Sequence, residues 1–571
     1  MNGTKYFLAS LLIVLSGIFW TSLSVSAQQF AKTYTPRKPT TSGSSFWRTR
    51  NIETKGVCAV GGGEYAVVST LEVEVSPNDW QTTGQVMIID ENGVEMRSKT
   101  YYTGLPAPLS QIKFNNVAYI PANQLDIFRK TIDTMDTLIV PTWAKQKVRF
   151  FTSKDSNIPN DSNLRLRGVL LIAGARRPLY PVDKGGVVYY EICDNYQAAY
   201  YAIDVATLDT LTTGSFACNM GRDTNNANWE SSEYHSLRFE YQGYIDTSGN
   251  IKQTAMRQRV AFVGSAMAST GNLSILASRS DLYYIATGIN YNAVGYMYPS
   301  FITRTFRSSA ENNFKDEEGL DIDMRYRDVY EDKDDWTYAI CGYSKAQYIG
   351  DTTERAISFT VNDTLEQAPH HTACVKGGVW VLFGDNRSSR ATAVTWVAPQ
   401  NDINSEVRWF NASNNGYVVA GSRQRDARLR TESRTFVARL PLFGLYAPKF
   451  YVEYGLGIPD TISSHPGYSI LSRTIAVDST PGNYEAYNFY ITGWWNDLNE
   501  ANPAPTARWL QLNDDLTVAG GNEYMRTQPT INYGNRMCRD NNDNGFVIAG
   551  TMGLNSSTCD TNYKGGGFLT L

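Results

Sequence analysis

The densest group of side chains that could hold a metal lies between residues 314 and 336. Clustered carboxylates are the ligands that Ca²⁺ requires, but their spacing here matches no calcium-binding loop. A run of like charges normally stays hydrated, so we predict a solvated insertion, with calcium binding as the alternative. The acids are Asp316, Glu317, Glu318, Asp321, Asp323, Asp328, Glu331, Asp332, Asp334 and Asp335.

Two short motifs resemble binding loops without the context that binding needs. Residues 540–545 open like an EF-hand loop, but Thr551 stands where the bidentate acid should be. Residues 61–66 match G-x-G-x-x-A, but they lead into an apolar β run and not into a helix. Both motifs predict turns. No cofactor is predicted, and metal binding remains open.

No catalytic set can be recognised. The four histidines are His235, His370, His371 and His465, and adjacent strand residues such as His370 and His371 face opposite ways. H-x-x-x-H and G-x-S-x-G motifs are absent. Glycosidase chemistry needs only two acids at a set separation, and 56 acids are present. We predict no catalytic residue, and we favour a non-enzymatic role over an enzymatic one.

Three tryptophans are candidate binding residues. Trp229 falls in a polar stretch, and Trp494 and Trp495 follow an apolar run. Exposed aromatic side chains in loops can stack on sugar rings or anchor a protein partner. Packing in the core is the more frequent fate of tryptophan, and that alternative stays open.

The N-terminus has the features of an export signal. Positive charge at Lys5, an apolar segment and a small-x-small site predict a signal peptide over residues 1–27. Residues 28–45, rich in Pro, Ser and Thr, predict a flexible leader. No later stretch is apolar enough to span a membrane, and the net charge of −4 gives no general attraction to nucleic acid. We therefore expect a periplasmic, surface-exposed or secreted protein.

Seven cysteines would then meet an oxidising environment, and an odd number leaves at least one without an intrachain partner. Two of them bracket the last apolar strand, and the other candidate pairs rest on nearness along the chain. No C-x-x-C motif is present. The candidate disulfides are Cys538–Cys559, Cys193–Cys218 and Cys341–Cys374.

A short apolar run, often ending in glycine, recurs through the chain. Such runs predict strands buried on both faces, and the closing glycine indicates close approach of another backbone. Most are followed by a partner strand and a turn. The runs span residues 64–69, 168–174, 260–264, 338–342, 378–384, 416–421, 489–493 and 545–550, and 116–122 is a weaker copy. The partners span 85–90, 200–204, 356–361, 435–440, 507–512 and 567–571.

These hairpins predict an all-β fold. A β-propeller of seven or eight blades over residues 46–571 is the economical way to bury them, with insertions near 209–258 and 291–336. Residues 46–52 could join the last blade, closing the ring with an N-terminal strand and removing an exposed edge. A tandem of β-sandwiches is the alternative.

The repeats Gly416-Tyr417-Val418-Val419-Ala420-Gly421 and 545–550 resemble those of secreted β-propeller proteins from Bacteroidetes. The resemblance implies architecture and location, because that group has no single activity. Such proteins often carry a C-terminal secretion domain, and we expect none after the last hairpin.

We therefore predict an exported, non-enzymatic binding or assembly protein. Its loops would bind a protein partner of the cell envelope, since loops on a rigid scaffold carry specificity. The alternative is a glycan-binding lectin or a carboxylate-dependent glycan-active enzyme.

Overall fold

The computed structural model describes a β-strand protein, and no helix occurs among the described residues. The residues it describes are 31–34, 48–101, 111–121, 168–177, 179–183, 185–186, 188–192, 195–215, 229–242, 257–268, 273–281, 301–306, 314–326, 336–346, 357–361, 364–368, 378–385, 391–396, 405–413, 416–424, 433–440, 450–454, 463–464, 467–476, 486–497, 506–523, 530–539, 545–554 and 566–570.

The strands are numbered in the order in which they follow one another along the chain. Those of the first half are β1 (Ala31–Tyr34), β2 (Arg48–Gly61), β3 (Glu64–Ser76), β4 (Asp79–Ile89), β5 (Glu95–Thr100), β6 (Ile112–Pro121), β7 (Gly168–Arg176), β8 (Leu179–Asp183), β9 (Val188–Ile192), β10 (Gln197–Asp204), β11 (Thr210–Ser215), β12 (Trp229–Gln242), β13 (Arg257–Ala268), β14 (Leu273–Asp281), β15 (Phe301–Phe306) and β16 (Phe314–Tyr326). Those of the second half are β17 (Trp336–Ala346), β18 (Ile357–Val361), β19 (Thr364–Ala368), β20 (Gly378–Asp385), β21 (Ala391–Trp396), β22 (Ser405–Ser413), β23 (Gly416–Gln424), β24 (Ser433–Leu440), β25 (Phe450–Tyr454), β26 (Ser463–Ser464), β27 (Gly467–Ala476), β28 (Ala486–Asp497), β29 (Thr506–Leu512), β30 (Val518–Glu523), β31 (Thr530–Arg539), β32 (Phe546–Leu554) and β33 (Gly566–Thr570).

Most strands can be grouped into antiparallel units of four. A single parallel pairing of β14 with β16 joins the third and fourth units into one eight-stranded sheet, and β26 pairs with β28 of the sixth unit. The first unit is β2-β3-β4-β5, the second β6-β7-β10-β11 and the third β12-β13-β14-β15. The fourth is β16-β17-β20-β21, the fifth β22-β23-β24-β25 and the sixth β27-β28-β29-β30. The last unit is β31-β32-β33-β1. Two further hairpins, β8–β9 and β18–β19, stand apart as two-stranded sheets.

All eight apolar runs are strands, as predicted, but they are not the first strands of their units. Seven of them form the second strand, as β7 does, and the eighth is β20, the third strand of the fourth unit. A less apolar strand precedes each second strand and pairs with it. We call β2, β6, β12, β16, β22, β27 and β31 the first strands.

Every first strand carries a β-bulge at a corresponding position. In six units the strand gains one extra residue just after the residue that pairs with the closing glycine of the second strand. In the first unit Lys55 is the extra residue and Ser69 takes the place of the glycine. The extra residues of the other units are Asn115, His235, Leu320, Arg408, Tyr468 and Asn535, beside Gly174, Gly264, Gly342, Gly421, Gly493 and Gly550.

The bulge explains the glycine. A Cβ atom on Gly174 would lie 1.8 Å from the carbonyl oxygen of Lys113, and one on Gly264 would lie 1.8 Å from that of Glu233. No side chain fits at such distances, so the backbone of the first strand excludes every residue with a Cβ. The close backbone approach predicted from the closing glycine is confirmed at both positions.

Most of the described apolar core lies between units, although Ile52, Leu71 and Val73 pack together within the first sheet. One cluster joins the first and second units through residues such as Val68, Phe114 and Ile172. A second joins the second and third units through Leu171, Tyr200 and Phe262. The side chains of each sheet therefore interleave with those of its neighbours, as in stacked β-sheets.

The first strands are neighbours in chain order. β2 packs on β6, β6 on β12, β12 on β16, β16 on β22, β22 on β27 and β27 on β31. β31 in turn packs on β2. We call the end of the units where the first strands begin the upper end. The turns at 61–64, 90–94 and 513–517 lie at the opposite, lower end.

Two expectations about the chain are corrected. The strand that pairs with β33 is β1, within the segment expected to be a flexible leader, whereas residues 48–52 belong to β2 and pair with β3. The two segments expected as insertions contain regular strands of the units. The first segment contains β11, at the edge of the second unit, and β12, in the third unit. The second segment contains β15, in the third unit, and β16, in the fourth unit. The signal peptide lies outside the described residues.

The glycine constraint makes a direct prediction. Gly174→Ala should lower the free energy of unfolding by about 3 kcal/mol, because the new methyl group can only fit if the β6 backbone moves. Gly545→Ala is the matched control, since a Cβ there meets nothing within 4 Å. It should change stability by less than about 1 kcal/mol. Urea unfolding of both variants measures this, and equal effects would contradict it.

Candidate functional site

The acidic stretch that the sequence placed in solvent begins with a buried strand. Asp321 and Asp323 lie on β16 and are only 3% and 1% exposed. The prediction of a solvated insertion is wrong for this part of the stretch. Asp316, Glu317 and Glu318 also lie on β16, and residues 327–335, with the other five acids, lie outside the described residues.

Asp321 belongs to a polar network that joins four first strands. On β6, the Asn116 Nδ2 donates to Ser236 Oγ on β12 at 2.9 Å. Ser236 Oγ donates in turn to Asp321 Oδ1 on β16. From β31, Arg536 Nη2 lies 3.3 Å from Asp321 Oδ1 and 3.4 Å from Ser236 Oγ. All four residues directly follow the extra residue of the bulge in their strand.

A second ion pair lies beside the network. Arg238 Nε on β12 is 2.9 Å from Asp323 Oδ1 on β16. Each buried carboxylate of β16 therefore has a guanidinium partner from another unit. A buried carboxylate without such a partner would carry a large desolvation cost.

A third charged group lies nearer the upper end. Glu233 on β12 accepts hydrogen bonds from Lys113 Nζ and Asn115 Nδ2, both at 2.7 Å and both from β6. Burial raises the pKa of Glu233, but the positive charges of His235, Lys113 and Lys55 outweigh burial and hold that pKa below its ordinary value. Glu233 is therefore a carboxylate at neutral pH.

Tyr196 lies next to this group. Two cations lie over its ring, with Lys113 Nζ 4.3 Å and Arg177 Cζ 5.2 Å from the centroid. Its hydroxyl donates to Gln111 Oε1 at 2.5 Å, and burial raises its pKa. The ring is fixed between β6 and the chain that leads into β10, and contacts with cations stabilise it there.

The upper end also carries the two extra hairpins. β8 and β9 lie between β7 and β10, and β18 and β19 lie between β17 and β20, so both hairpins leave the units at this end. Gly185 and Gly186 at the tip of β8–β9 have φ of 72° and 85°, which only glycine adopts readily. Arg177 and Tyr196 flank this hairpin along the chain.

The three candidate tryptophans are found at the same end. Trp229 is the first residue of β12, and Trp494 and Trp495 lie near the end of β28, paired with β29. Trp229 is therefore a strand residue and not part of an insertion, whereas Trp494 and Trp495 follow the apolar run on the same strand, as predicted. Their role in binding stays a prediction. Trp80 at the start of β4 is also at this end, with Arg50 Cζ 3.9 Å from its ring.

Other predicted residues have plainer outcomes. The glycines at 61–63 form a turn with φ between 62° and 85°, as predicted in place of a dinucleotide site. Residues 540–544, His370, His371 and His465 fall outside the described part of the chain. His235 is the bulge residue of β12 and lies 3.1 Å from Ser265 Oγ. Within the described ranges no three metal-ligating side chains group together.

The candidate disulfides stay predictions. Cys538 lies on β31 and Cys341 on β17, whereas Cys559, Cys193, Cys218 and Cys374 are outside the described residues. Cys58 has a free thiol. Burial, followed by the nearby charge of Cys538, raises the pKa of the Cys58 thiol well above its usual value. Cys58 packs on the core between the first two units, whereas Cys538 packs between the last unit and the first.

Comparison with known proteins gives only distant similarity. No family model matches, and no curated protein matches. The parainfluenza virus 5 hemagglutinin-neuraminidase ectodomain aligns with 71% of this chain and 79% of its own, at 9% identity and a TM-score of 0.31. The Aspergillus awamori exo-inulinase aligns with 94% and 96%, at 11% identity and a TM-score of 0.28. Similarity at this level says nothing about the activity of this chain.

In the described ranges, no helix has the length and apolarity to cross a membrane.

Sequence reasoning found only part of this site. Asp321 was named only as a candidate metal-binding acid, and Asn116 opens the weaker apolar run 116–122, whereas Ser236 and Arg536 come from strands without an apolar run, so strand patterns did not mark them. One signal was available: each residue lies in a strand that precedes an Ala-Gly or similar run by a short distance. An alignment of the repeats one strand upstream would have brought their positions together.

The pKa of Glu233 predicts a pH dependence of stability. Because this pKa is lowered by folding, ionised Glu233 contributes fully above the value of 4.5 for an unperturbed carboxyl. That contribution is lost as the pH falls through the folded-state value. We expect the difference in free energy of unfolding between wild type and Glu233→Gln to be constant near neutral pH. Below about pH 4.5 the difference should shrink. Urea unfolding across this range measures it, and a difference that grows on acidification would contradict it.

Proposed function

We propose that the units form a seven-bladed β-propeller in which β1 completes the last blade. The sequence of contacts among first strands, which runs from β2 to β31 and back to β2, supports a closed ring. Pairing of β1 with β33 supports completion of the last blade by the N-terminal segment. Tyr34 on β1 also donates a hydrogen bond at 2.5 Å to Gly93 O in the first unit, which ties the last blade to the first.

Arg536 provides a test of the ring. In a ring of seven, β31 and β16 lie on opposite sides, and only a side chain that crosses the centre can join them. We expect a double-mutant cycle of Arg536→Met and Asp321→Asn to give a coupling energy of about 2 kcal/mol, since neither side chain is left alone with its charge in the double variant. The exposed pair Lys99–Asp209, at 2.9 Å, is the control. Its coupling should be below about 1 kcal/mol. Zero coupling for Arg536 and Asp321 would contradict the arrangement.

We infer further that the protein is an exported, non-enzymatic binding or assembly protein that holds a protein partner at its upper end. The observation that carries this proposal is the pairing of the carboxylates. A glycosidase needs a general acid with a raised pKa. Here Glu233 has a lowered pKa, and Asp321 and Asp323 are bound to arginines. These acids are arranged to hold strands together.

The position of the extra hairpins indicates which end binds. Tight turns close the lower end of the first unit, whereas β8–β9 and β18–β19 extend the upper end. Binding residues generally lie on segments that a rigid scaffold positions. Protein recognition at the upper end would use these hairpins and the polar groups below them.

Glycan binding is the alternative. Trp229, Trp494 and Trp495 share the upper end, and aromatic side chains there could stack on sugar rings. The ring of Tyr196 is already covered by two cations, which favours the protein partner.

Cross-linking in the native envelope tests the proposed function. The mature protein is cross-linked through amines, recovered and analysed by mass spectrometry. We expect one or two proteins at near-stoichiometric yield, joined to Lys113 near the upper end. Replacement of residues 179–192 by a short Gly-Ser linker should reduce that yield, whereas Lys99→Ala on the edge strand β5 should not. Recovery of no protein, or cross-links through Lys99 alone, would contradict the proposal and favour glycan arrays as the next measurement.

A further inference from the structure

Among the described residues at the upper end, Arg177 is a charged group with incomplete hydrogen bonding. Its backbone N–H donates to Gln111 O at 3.0 Å, and its guanidinium lies over the ring of Tyr196. The guanidinium makes no hydrogen bond or ion pair with any described residue, although its Nε is buried. A buried N–H without an acceptor costs about 1–3 kcal/mol. Such a group in a native protein calls for an explanation, and a bound anion is one.

The surroundings of Arg177 differ from those of four other arginines. Arg176 donates from Nη1 to Thr213 Oγ1 at 3.0 Å. Arg50 also lies over an aromatic ring, that of Trp80, but its Nε is bonded to Glu72 Oε2 at 2.5 Å. Arg536 and Arg238 are bonded to Asp321 and Asp323. Arg177 therefore has the same aromatic support as Arg50 without the carboxylate.

The contacts of Arg177 hold its guanidinium in place. Tyr196 is fixed by its hydrogen bond to Gln111, and Gln111 O accepts from the Arg177 backbone. Lys113 adds a second positive charge over the same ring. Its amine is bound to Glu233, so the two charges compensate each other and Arg177 supplies the free N–H donors. A guanidinium fixed in this way loses little conformational entropy on binding.

We propose that Arg177 binds a carboxylate side chain from an acidic segment of the protein partner. A carboxylate can accept from Nε–H and one Nη–H together, which is the two-bond geometry that arginine favours. The proposal rests on the proposed function, because it names the chemistry of the same partner. We favour an acidic peptide over an acidic sugar, because Lys113 and Arg177 already lie over the Tyr196 ring, the aromatic side chain beside Arg177 on which a sugar could stack.

Fluorescence anisotropy with a labelled pentaglutamate peptide tests this, using the full mature protein. We expect saturable binding that weakens at higher ionic strength. Arg177→Ala should weaken binding by about tenfold or more, the loss expected for a charge-assisted hydrogen bond. Arg177→Lys keeps the charge without the two-bond geometry and should fall between the two. It also provides the answer if Arg177→Ala does not fold.

Arg50→Ala is the matched control. It removes the same charge from an arginine that lies over an aromatic ring at the same end, but one already bonded to Glu72. Its affinity for the peptide should stay within about twofold of wild type. An equal loss in Arg50→Ala and Arg177→Ala would show a general effect of charge and overturn the proposal.

A second probe separates the two sources of a carboxylate. A labelled pentagalacturonate of equal charge should bind more weakly than the peptide. Preferential, Arg177-dependent binding of the sugar would overturn the acidic-peptide proposal in favour of a glycan. Absence of peptide binding to wild type would also overturn it. If wild type binds no peptide but cross-linking still recovers a protein partner, the Arg177 proposal fails and the proposed function stands. The two proposals can therefore fail separately.

Discussion

The close approach of each first strand to the second is the constraint on which the rest of this structure depends. The bulge places a carbonyl oxygen 1.8 Å from where a Cβ would be at Gly174 and Gly264. Only glycine allows this contact, and the chain repeats glycine at the corresponding position in six units. A β-bulge also bends and twists its strand. The residues that follow it are therefore turned toward neighbouring units.

Because residues after a bulge are turned toward neighbouring units, polar side chains meet in a place that an apolar core usually occupies. Asn116, Ser236, Asp321 and Arg536 all follow bulges, and each bonds with a residue of another unit. Apolar packing between the sheets, as at Val68, supplies non-directional attraction. Hydrogen bonds between first strands require one arrangement, since a buried polar group displaced from its partner is costly. The apolar clusters would favour stacking of the sheets, and the polar network would select which strands become neighbours.

The sequence predicted the all-β fold and every second strand, because those strands are buried on both faces and form nearly continuous apolar runs. The first strands other than β6, which the weaker run 116–122 indicated, were missed for the opposite reason. β16 contains Asp321 and Asp323, whose charges resemble those of a solvated loop, and nothing local shows that Arg536 and Arg238 will neutralise them. The partner of Asp321 is more than two hundred residues away. β1 was missed because four residues in a Pro- and Ser-rich leader carry no periodic pattern, and only pairing with β33 makes them a strand.

The same distinction applies to the candidate site. Strand patterns could place Trp494 and Trp495 after an apolar run but could not place Trp229 on a strand or show that antiparallel alternation brings all three to one end of the units. Residue type marks Glu233 as an acid. It does not show whether the side chain acts as a proton donor or stays ionised in fixed contacts. The contacts answer that question: Lys113 and Asn115 stabilise the carboxylate, and its pKa falls instead of rising. A proton donor needs an environment that favours the neutral acid. The surroundings of Glu233 favour the charged form, which suits a fixed polar surface better than a proton-transfer site.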